Sequence, residues 1–304
     1  MYSLTLGATS KRYSMKDFVF IIPLTPKRLL NPIRQTLFDL MIYGLKNQKS
    51  DNWNALLMGE EEKVEGNLIY LNSEKALDQD YVKEFRGDPG HTDKHHKIEI
   101  ALQHIAREAK KPKYLIRLDD DDLISPDVIQ FIEREGMNYD CYADKYQALY
   151  NITDAQIALP KLPWLANSIF HKYEHAITVV PQFNRKLINC SHSDAFHLYY
   201  GDKKIYFFPK YEPLYLRILS ETSLHIKTAE KATYSDHKRK YGFWYHYQLP
   251  SYEPYITLLI EKFQSILNIR IERKSSQLGL VVAKLAYELK RQLSKVTRRL
   301  GAKH

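Results

Sequence analysis

The sequence predicts an α/β fold in which a mostly parallel central sheet is flanked by helices, and three observations lead to it. Short apolar runs that indicate buried strands alternate with longer amphipathic stretches through residues 1–125. One of these strands runs directly into four consecutive aspartates. An aromatic-rich region with short β segments follows, and the chain closes with a helical extension. Alternating strands and helices are typical of parallel strands with helices on the faces of the sheet.

Four strands and two helices are predicted in the first region. The strands are expected at Phe18–Pro23, Trp53–Met58, Leu68–Leu71 and Tyr114–Leu118. The first helix follows Pro32 and carries one apolar stripe: Ile33, Leu37, Leu40, Met41 and Leu45. A second stripe predicts a helix over residues 94–110: Ile98, Leu102, Ile105 and Ala109. Each helix therefore has one apolar face to bury against a sheet.

The second region begins with a helix start and continues as short β segments. Ser125 is expected to be the N-cap residue and Pro126 the first helical residue. The β segments are expected at Tyr139–Tyr142, Ala176–Val180, Lys204–Phe208 and Leu214–Leu219. The chain is accordingly expected to divide into residues 1–125, 126–249 and 250–304.

The positive charge of the chain is concentrated near its C-terminal end. The 304 residues include 45 Lys+Arg and 36 Asp+Glu, which gives a formal net charge of +9. Residues 270–304 contain ten of the basic residues and two of the acidic ones, so the rest of the chain is close to neutral. A near-neutral body does not favour nucleic-acid binding, and we expect no nucleic-acid partner.

The tail, residues 275–304, has the pattern of a basic amphipathic helix. Its apolar residues form one stripe: Leu278, Val281, Val282, Leu285, Leu289, Leu293, Val296 and Leu300. Most of its lysines and arginines lie away from that stripe. Such a helix suits an anionic membrane surface. It equally suits packing on the body of the protein or self-association with a second copy, and the sequence leaves these alternatives open.

Cysteine content and apolar runs bear on the cellular compartment. Cys141 and Cys190 are too few for a disulfide framework or a metal site of their own. The longest apolar run, Phe18–Leu24, is far shorter than the roughly 20 residues of a membrane-spanning helix. The first fifteen residues lack the apolar core of a signal peptide. We therefore expect a cytoplasmic protein, peripheral on the inner face of the cell membrane if the tail binds lipid.

The strongest signal for chemistry is the run of aspartates from Asp119 to Asp122 at the end of a predicted buried strand. Adjacent carboxylates repel one another, and a bound divalent cation relieves that repulsion. Carboxylate oxygens suit Mg²⁺ or Mn²⁺, and open α/β sheets bind ligands at the carboxyl ends of their strands. The alternative is a solvated acidic turn that caps the next helix.

This segment resembles the Asp-x-Asp region of GT-A type glycosyltransferases, in particular the large inverting family whose motif is a hydrophobic strand followed by Asp-x-Asp-Asp. Phe18–Thr25 resembles the first strand of that family with its nucleotide-contacting end, and Ala55–Glu61 resembles the second strand with its acidic end. The resemblance covers about residues 17–135 and looks closest to bacterial rhamnosyltransferase-like members. The chain departs from the common pattern at Asp120, where a small residue is usual, and at Glu60, where Asp is usual.

The resemblance implies a GT-A-like fold and metal-dependent sugar transfer from a nucleotide-sugar donor to a glycan or lipid-linked acceptor. Residues 1–125 would bind the donor and residues 126–249 the acceptor. Asp121 and Asp119 would hold Mn²⁺ or Mg²⁺, which neutralises the departing diphosphate. The implied donor contacts are Thr25, Glu60, Lys97, Asp119 and Asp120, with Lys94 as the alternative to Lys97.

The second half offers candidates for the remaining roles. An acceptor hydroxyl would attack the anomeric carbon while a carboxylate takes its proton as general base. Asp194, about seventy residues after Asp121, is the first candidate for that base, and an ordinary polar loop is the alternative. Glu221 is the second candidate. Its segment resembles the place where these enzymes carry a late metal-binding or diphosphate-binding residue, so His225 is a candidate third metal ligand, although a lone histidine is more often structural.

Two other classes of function compete with glycosyl transfer. A metal-dependent nucleotidyl or phosphoryl transferase would also use clustered carboxylates, but the chain has no Gly-rich phosphate loop of the G-x-x-x-x-G-K type. A nonenzymatic binding protein would use the aspartates only to cap a helix and the basic tail to bind nucleic acid. The near-neutral body argues against that reading.

Overall fold

The computed structural model describes residues 13–26, 31–73, 89–151, 156–165, 168–190, 196, 198–210, 212–219, 243–246, 252, 254–258 and 260–261. The chain divides into two compact units. The first lies within Met1–Pro26, Ser50–Asp119 and Phe170–Cys190, and the second lies within Lys27–Lys49, Asp120–Ile169 and Ser191–His304. Each unit is therefore assembled from segments that are distant in the sequence.

The strands, in chain order, are β1 (Phe18–Pro23), β2 (Trp53–Gly59), β3 (Lys63–Glu65), β4 (Leu68–Asn72), β5 (Tyr114–Arg117), β6 (Leu123–Ile124), β7 (Cys141–Ala143), β8 (Ala148–Asn151), β9 (Gln156–Pro160), β10 (Ile169–Lys172), β11 (Val179–Val180), β12 (Arg185–Lys186), β13 (Ile205–Phe207), β14 (Tyr215–Leu219) and β15 (Phe243–His246). The helices are α1 (Pro32–Lys46), α2 (Pro89–Arg107), α3 (Val128–Arg134) and α4 (Tyr173–Ala176), and a 3-10 helix covers Leu187–Asn189.

The first unit contains a mostly parallel sheet. Its strands lie in the order β10-β5-β1-β2-β4-β3. The four strands β5, β1, β2 and β4 are parallel to one another, whereas β10 pairs antiparallel with β5 and β3 pairs antiparallel with β4. The predicted mostly parallel sheet is confirmed. Parallel pairing brings the carboxyl ends of four strands to one edge.

The core of the first unit lies between this sheet and α2. The apolar stripe of α2, formed by Ile98, Leu102 and Ile105, is buried in one cluster with β1 and β2 side chains. Strand residues such as Ile21 and Leu56 are fully buried. The predicted amphipathic pattern therefore places α2 on the sheet as expected, and this packing fixes the start of α2 beside the carboxyl edge.

The second unit holds a five-stranded sheet in the order β15-β9-β8-β14-β6, together with the parallel pair β7 and β13. One core cluster joins α1 residues such as Leu37 and Leu40 to β8, β9 and β14, and to buried side chains in 252–260. Helix α1 begins where Asn31 accepts hydrogen bonds from the backbone N–H groups of Ile33 and Arg34, with Pro32 at the first position. Residues 254–258 are helical.

The predicted start of the third helix was wrong by two residues. The helix begins at Val128 and its N-cap is Asp127, which makes no side-chain cap hydrogen bond. Ser125 instead donates its backbone N–H to the Leu214 carbonyl at 2.8 Å and so continues the pairing of β6 with β14. Its backbone is committed to the sheet, and the residues between it and Val128 form a turn.

Two other elements also have bounds that differ from the predicted ones. The predicted β segment Ala176–Val180 is shorter, because Ala176 ends α4 and only Val179–Val180 pair with β12. The predicted helix over 94–110 lies at Pro89–Arg107. Within the described part of the chain, no helix combines the length and apolar character required to cross a membrane.

Candidate functional site

The carboxyl edge of the first unit carries three of the predicted site residues. Register pairs Pro23 with Met58, so Thr25 after β1 and Glu60 after β2 stand at equivalent positions on neighbouring strands. Leu118, which precedes Asp119, donates its N–H to the Ile21 carbonyl at 3.1 Å and continues β5 beside β1. Since neighbouring strands lie about 4.8 Å apart, these three side chains occupy one stretch of sheet edge. Thr25 and Asp119 are partly buried and Glu60 is exposed.

Two lysines near the start of α2 have different surroundings at this edge. Lys94 forms an ion pair with Asp119, and both side chains are partly exposed, at 28% and 22%. Lys97 is 1% exposed. Its ammonium donates to the Leu24 carbonyl at 2.7 Å and to the Asp93 carboxylate at 2.8 Å. Lys94 can therefore reach a ligand at the edge, while Lys97 holds the turn that carries Thr25.

The acidic run places three of its four carboxylates together. Asp119, Asp121 and Asp122 each offer one oxygen, and these oxygens lie within 4.8 Å of one another. Opposite ligands of an octahedral Mg²⁺ ion with bonds of about 2.1 Å lie about 4.2 Å apart, so the group fits a divalent cation of the Mg²⁺ or Mn²⁺ class. Asp120 is 7% exposed and is not part of this group.

Asp122 also has a structural role that the sequence analysis did not predict. It is 1% exposed, its Oδ1 accepts the Ile218 N–H at 2.8 Å, and its Oδ2 accepts the Tyr215 hydroxyl. The carboxylate thus ties the acidic turn to β14 while still contributing an oxygen to the group. One feature of the sequence could have indicated this structural role of Asp122. It is the last acid of the run and stands immediately before the apolar pair of β6.

A hydrogen-bond network fixes the chain that leads toward residue 191. Arg117, two residues before Asp119, donates to the carbonyls of Ile188 and Cys190 at 3.4 Å each. Asn189 accepts from His95 Nδ1 at 2.8 Å and donates to Glu99 at 2.9 Å. The 3-10 helix is thereby held to both β5 and α2 of the first unit.

Two histidines in the first unit are neutral because of burial. Desolvation lowers the pKa of His95 to about 4, helped by the positive charges of Arg117 and Arg185. Desolvation likewise lowers the pKa of His171 to about 3. The neutral His95 ring donates from Nδ1 to Asn189, so its role at neutral pH is to orient that side chain rather than to carry charge.

The remaining predicted residues lie outside the described part of the chain. These are the base candidates Asp194 and Glu221 and the candidate metal ligand His225. Their roles stay predictions. The tail, residues 275–304, also lies outside the described residues. Among the residues that are described, the structure brings together Thr25, Glu60 and Asp119 along one edge, and Asp119 and Asp121 in one acidic group.

Comparisons with known proteins give low sequence identity. No family model and no curated protein matches the sequence. Rv0371c of Mycobacterium tuberculosis H37Rv, solved in complex with manganese, is 10% identical, with 75% of this chain and 98% of that chain covered and a TM-score of 0.34. S. aureus TarS 1–349 is 10% identical, with 82% and 72% covered and a TM-score of 0.37. The glycosyltransferase GlyE of Streptococcus pneumoniae TIGR4 is 9% identical, with 86% and 66% covered and a TM-score of 0.37.

Proposed function

We propose that the protein is a metal-dependent glycosyltransferase that moves a sugar from a nucleotide-sugar donor to a glycan or lipid-linked acceptor, with inversion at the anomeric carbon. One observation carries the proposal: the carboxylates of Asp119, Asp121 and Asp122 converge within 4.8 Å directly after a parallel strand. Open α/β sheets bind their ligands at this end of the strands, and a diphosphate needs a cation there.

The carboxyl edge supplies contacts for each part of the donor. Thr25 and Glu60, at equivalent positions after β1 and β2, would contact the base and ribose. Asp120 is also proposed to contact the donor. Lys94 lies at the acidic group as its ion-pair partner, so its ammonium can pass to a donor phosphate oxygen. Lys97 would act through the Leu24 carbonyl that it holds, as a positioning residue for Thr25.

The acidic group would hold Mn²⁺ or Mg²⁺ through oxygens of Asp119, Asp121 and Asp122. When bound, such an ion supplies Lewis-acid neutralisation of the charge that develops on the departing diphosphate. The hydrogen bonds from Tyr215 and Ile218 orient the Asp122 carboxylate. Metal-ligating side chains are commonly oriented by such hydrogen bonds from residues that do not contact the metal.

We propose Asp194 as the general base, with Glu221 as the second candidate for that role and His225 as a metal ligand in addition to the aspartates. The support for Asp194 is its place in the sequence. It follows Cys190 by four residues, and the Cys190 carbonyl accepts a hydrogen bond from Arg117, which lies two residues before Asp119.

Donor hydrolysis tests this function without knowledge of the acceptor. The purified protein would be incubated with UDP-, GDP- and dTDP-sugars and Mn²⁺, and free sugar and nucleoside diphosphate would be quantified. We expect slow hydrolysis of one donor, loss with chelator, and at least a hundredfold loss in Asp121→Asn. Release of nucleoside monophosphate instead would favour the nucleotidyl or phosphoryl transferase, and no metal-dependent product from any donor would contradict the proposal.

A further inference from the structure

Gln147 is a buried glutamine in the second unit whose side-chain amide is not used by the fold. It is 0% exposed, and within the described part of the chain neither its Oε1 nor its Nε2 has a hydrogen-bond partner. Its backbone is paired in the ordinary way, because the N–H donates to the Trp164 carbonyl at 2.7 Å. The unmet hydrogen-bonding capacity therefore belongs to the side chain alone.

A buried amide without partners makes the ligand-free protein less stable than it could be. An apolar side chain of similar size would avoid the cost of removing these polar atoms from water. Buried polar groups nearly always have a partner, and an exception calls for a functional role or an ordered water. The Gln147 amide keeps one acceptor and two donors for a molecule from outside the chain.

Gln48 shows the usual role of a buried glutamine in the same unit. It is 8% exposed, and its Nε2 donates to the Ser125 carbonyl at 2.8 Å. This hydrogen bond ties the residue after the end of α1 to the turn before α3, so the Gln48 amide contributes to folding. Gln48 is therefore a matched control for Gln147, with similar burial and a structural partner.

The strand register places Gln147 beside a residue that contacts the acidic group. Ala148 of β8 pairs with Leu216 of β14 in parallel, so Gln147 stands opposite Tyr215, one residue earlier on each strand. Ala148 and Leu216 face the core cluster with α1, and side chains alternate along a strand, so Gln147 and Tyr215 share the opposite face. Neighbouring strands lie about 4.8 Å apart. The Tyr215 hydroxyl donates to Asp122 of the acidic group.

We propose that Gln147 binds a hydroxyl group of a sugar in the substrate. This inference rests on the proposed function, because it takes the ligand beside the acidic group to be a sugar. A hydroxyl donates to Oε1 and accepts from Nε2, so it uses both ends of the amide. A cation would use only the oxygen, and a fully ionised phosphate would use only the nitrogen. Gln147 thus contributes to recognition of the sugar rather than of the diphosphate or the metal.

Full burial of Gln147 means that the sugar reaches it only when a covering side chain moves. Hydrogen bonds to a substrate commonly form only in the complex, and side chains and loops rearrange as the substrate binds. The ligand-free protein then carries the cost of an unpaired amide, and the bound sugar relieves it. This predicts that Gln147 can be replaced without loss of stability but not without loss of sugar binding.

Thermal unfolding of the full chain tests the first half of that prediction. Gln147→Met removes the unpaired amide and keeps the length of the side chain. We expect its unfolding midpoint to equal or exceed that of wild type, whereas Gln48→Met should lower the midpoint by about 2–4 °C. A fall in Gln147→Met as large as that in Gln48→Met, or failure to fold, would overturn the proposal, because the amide would then have a structural role such as holding an internal water.

Calorimetry with the donor tests the second half. UDP-, GDP- and dTDP-sugars and the corresponding nucleoside diphosphates would each be titrated into the protein with Mn²⁺. If the hydroxyl belongs to the donor sugar, Gln147→Met should weaken nucleotide-sugar binding about tenfold, and the loss should be absent with the nucleoside diphosphate. Gln48→Met should bind both ligands as wild type does.

A transfer assay with methyl glycosides as acceptors distinguishes the second source of the hydroxyl. A raised KM for the methyl glycoside in Gln147→Met, with donor binding unchanged, would assign the hydroxyl to the acceptor. No loss by Gln147→Met in either arm, from a wild type that binds a nucleotide-sugar, would overturn this inference alone. If wild type binds no nucleotide-sugar, the proposed function fails and the sugar assignment fails with it.

Discussion

Lys94 and Lys97 lie one turn apart on α2 and differ in what surrounds their ammonium groups. Lys97 is 1% exposed and donates to a backbone carbonyl and to Asp93. Lys97→Met removes these donors and leaves the Leu24 carbonyl without this partner. We expect the free energy of unfolding to fall by about 2–3 kcal/mol, measured by urea denaturation.

Lys94→Met is the matched control for that change. The Lys94 side chain is 28% exposed, and partly exposed ion pairs contribute about 1 kcal/mol or less to stability. We expect near-wild-type stability and weaker nucleoside diphosphate binding. Equal stability losses in the two variants would contradict the distinction between a positioning lysine and a ligand-facing one.

Sequence spacing could not separate these two lysines, because both stand on the same part of a predicted helix. Their difference is set by Leu24, which is 73 residues away from Lys97 in the chain. The same limit applies to Asp122, whose partner Ile218 is 96 residues away. The local sequence pattern identified the acidic run and the strand before it. The roles of the individual aspartates depend on contacts between segments that are distant in the sequence.

At the scale of elements, one buried carboxyl joins β7 to β14. Asp144 directly follows β7, is 2% exposed, and accepts the N–H groups of Leu214 and Tyr215 at 3.0 Å each, one on each oxygen. In Asp144→Asn, one of the two oxygens becomes an amide NH₂ that cannot accept. We expect the free energy of unfolding to fall by about 1–3 kcal/mol, measured by urea denaturation.

Asp140 provides the comparison for Asp144. Its carboxylate also accepts a backbone N–H, that of Lys204 at 2.8 Å, but in an exposed position. Asp140→Asn should cost less than about 1 kcal/mol, because water replaces the lost interaction. If Asp144→Asn costs no more than Asp140→Asn, the buried connection between β7 and β14 is not a stabilising one.

Strands and helices with a clear hydrophobic pattern could be predicted from the sequence, whereas short elements and helix starts could not. Buried runs gave β1, β2 and β5 nearly to the residue, and the apolar stripe gave α1. The predicted start of α3 was wrong because the backbone N–H of Ser125 donates to the Leu214 carbonyl. Capping rules consider only neighbouring residues and do not include such a distant partner. The antiparallel strand β10 also depends on long-range pairing, since it joins β5 from a segment some fifty residues later.

At the scale of the whole molecule, buried histidines make stability depend on pH. Burial lowers the pKa of His171 to about 3, against about 6.5 in an unfolded chain. Between these values the unfolded chain binds a proton that the folded chain does not, so acid destabilises the fold. The effect is about 1.4 kcal/mol per pH unit for each such histidine.

The pH effect must be isolated with a variant, because Asp144 acts with the opposite sign. Burial raises the pKa of Asp144 to about 8, so the folded chain keeps a proton that the unfolded chain has lost. We expect His171→Gln to flatten the fall of unfolding free energy between pH 6.5 and 5 relative to wild type. Parallel stability curves for the two proteins would contradict a neutral buried His171.

The basic tail gives a prediction about membranes. We propose that residues 275–304 hold the protein at an anionic membrane surface. Deleting them should abolish sedimentation with anionic vesicles and leave nucleotide binding intact. Undiminished vesicle binding by the truncated protein would refute a membrane role for the tail, and a change from dimer to monomer would assign it to self-association.

The most direct test of the proposed donor site is calorimetric titration of the protein with UDP, GDP and dTDP, each in Mn²⁺ and then in EDTA. Asp121→Asn is the paired variant, since its side chain keeps the shape of the carboxylate and loses the charge. The proposal predicts that one nucleotide binds to wild type in Mn²⁺, and that chelator or the substitution removes this binding. Binding of no nucleotide in either condition, or equal binding by Asp121→Asn, would contradict a metal-dependent nucleotide-sugar site at the acidic group.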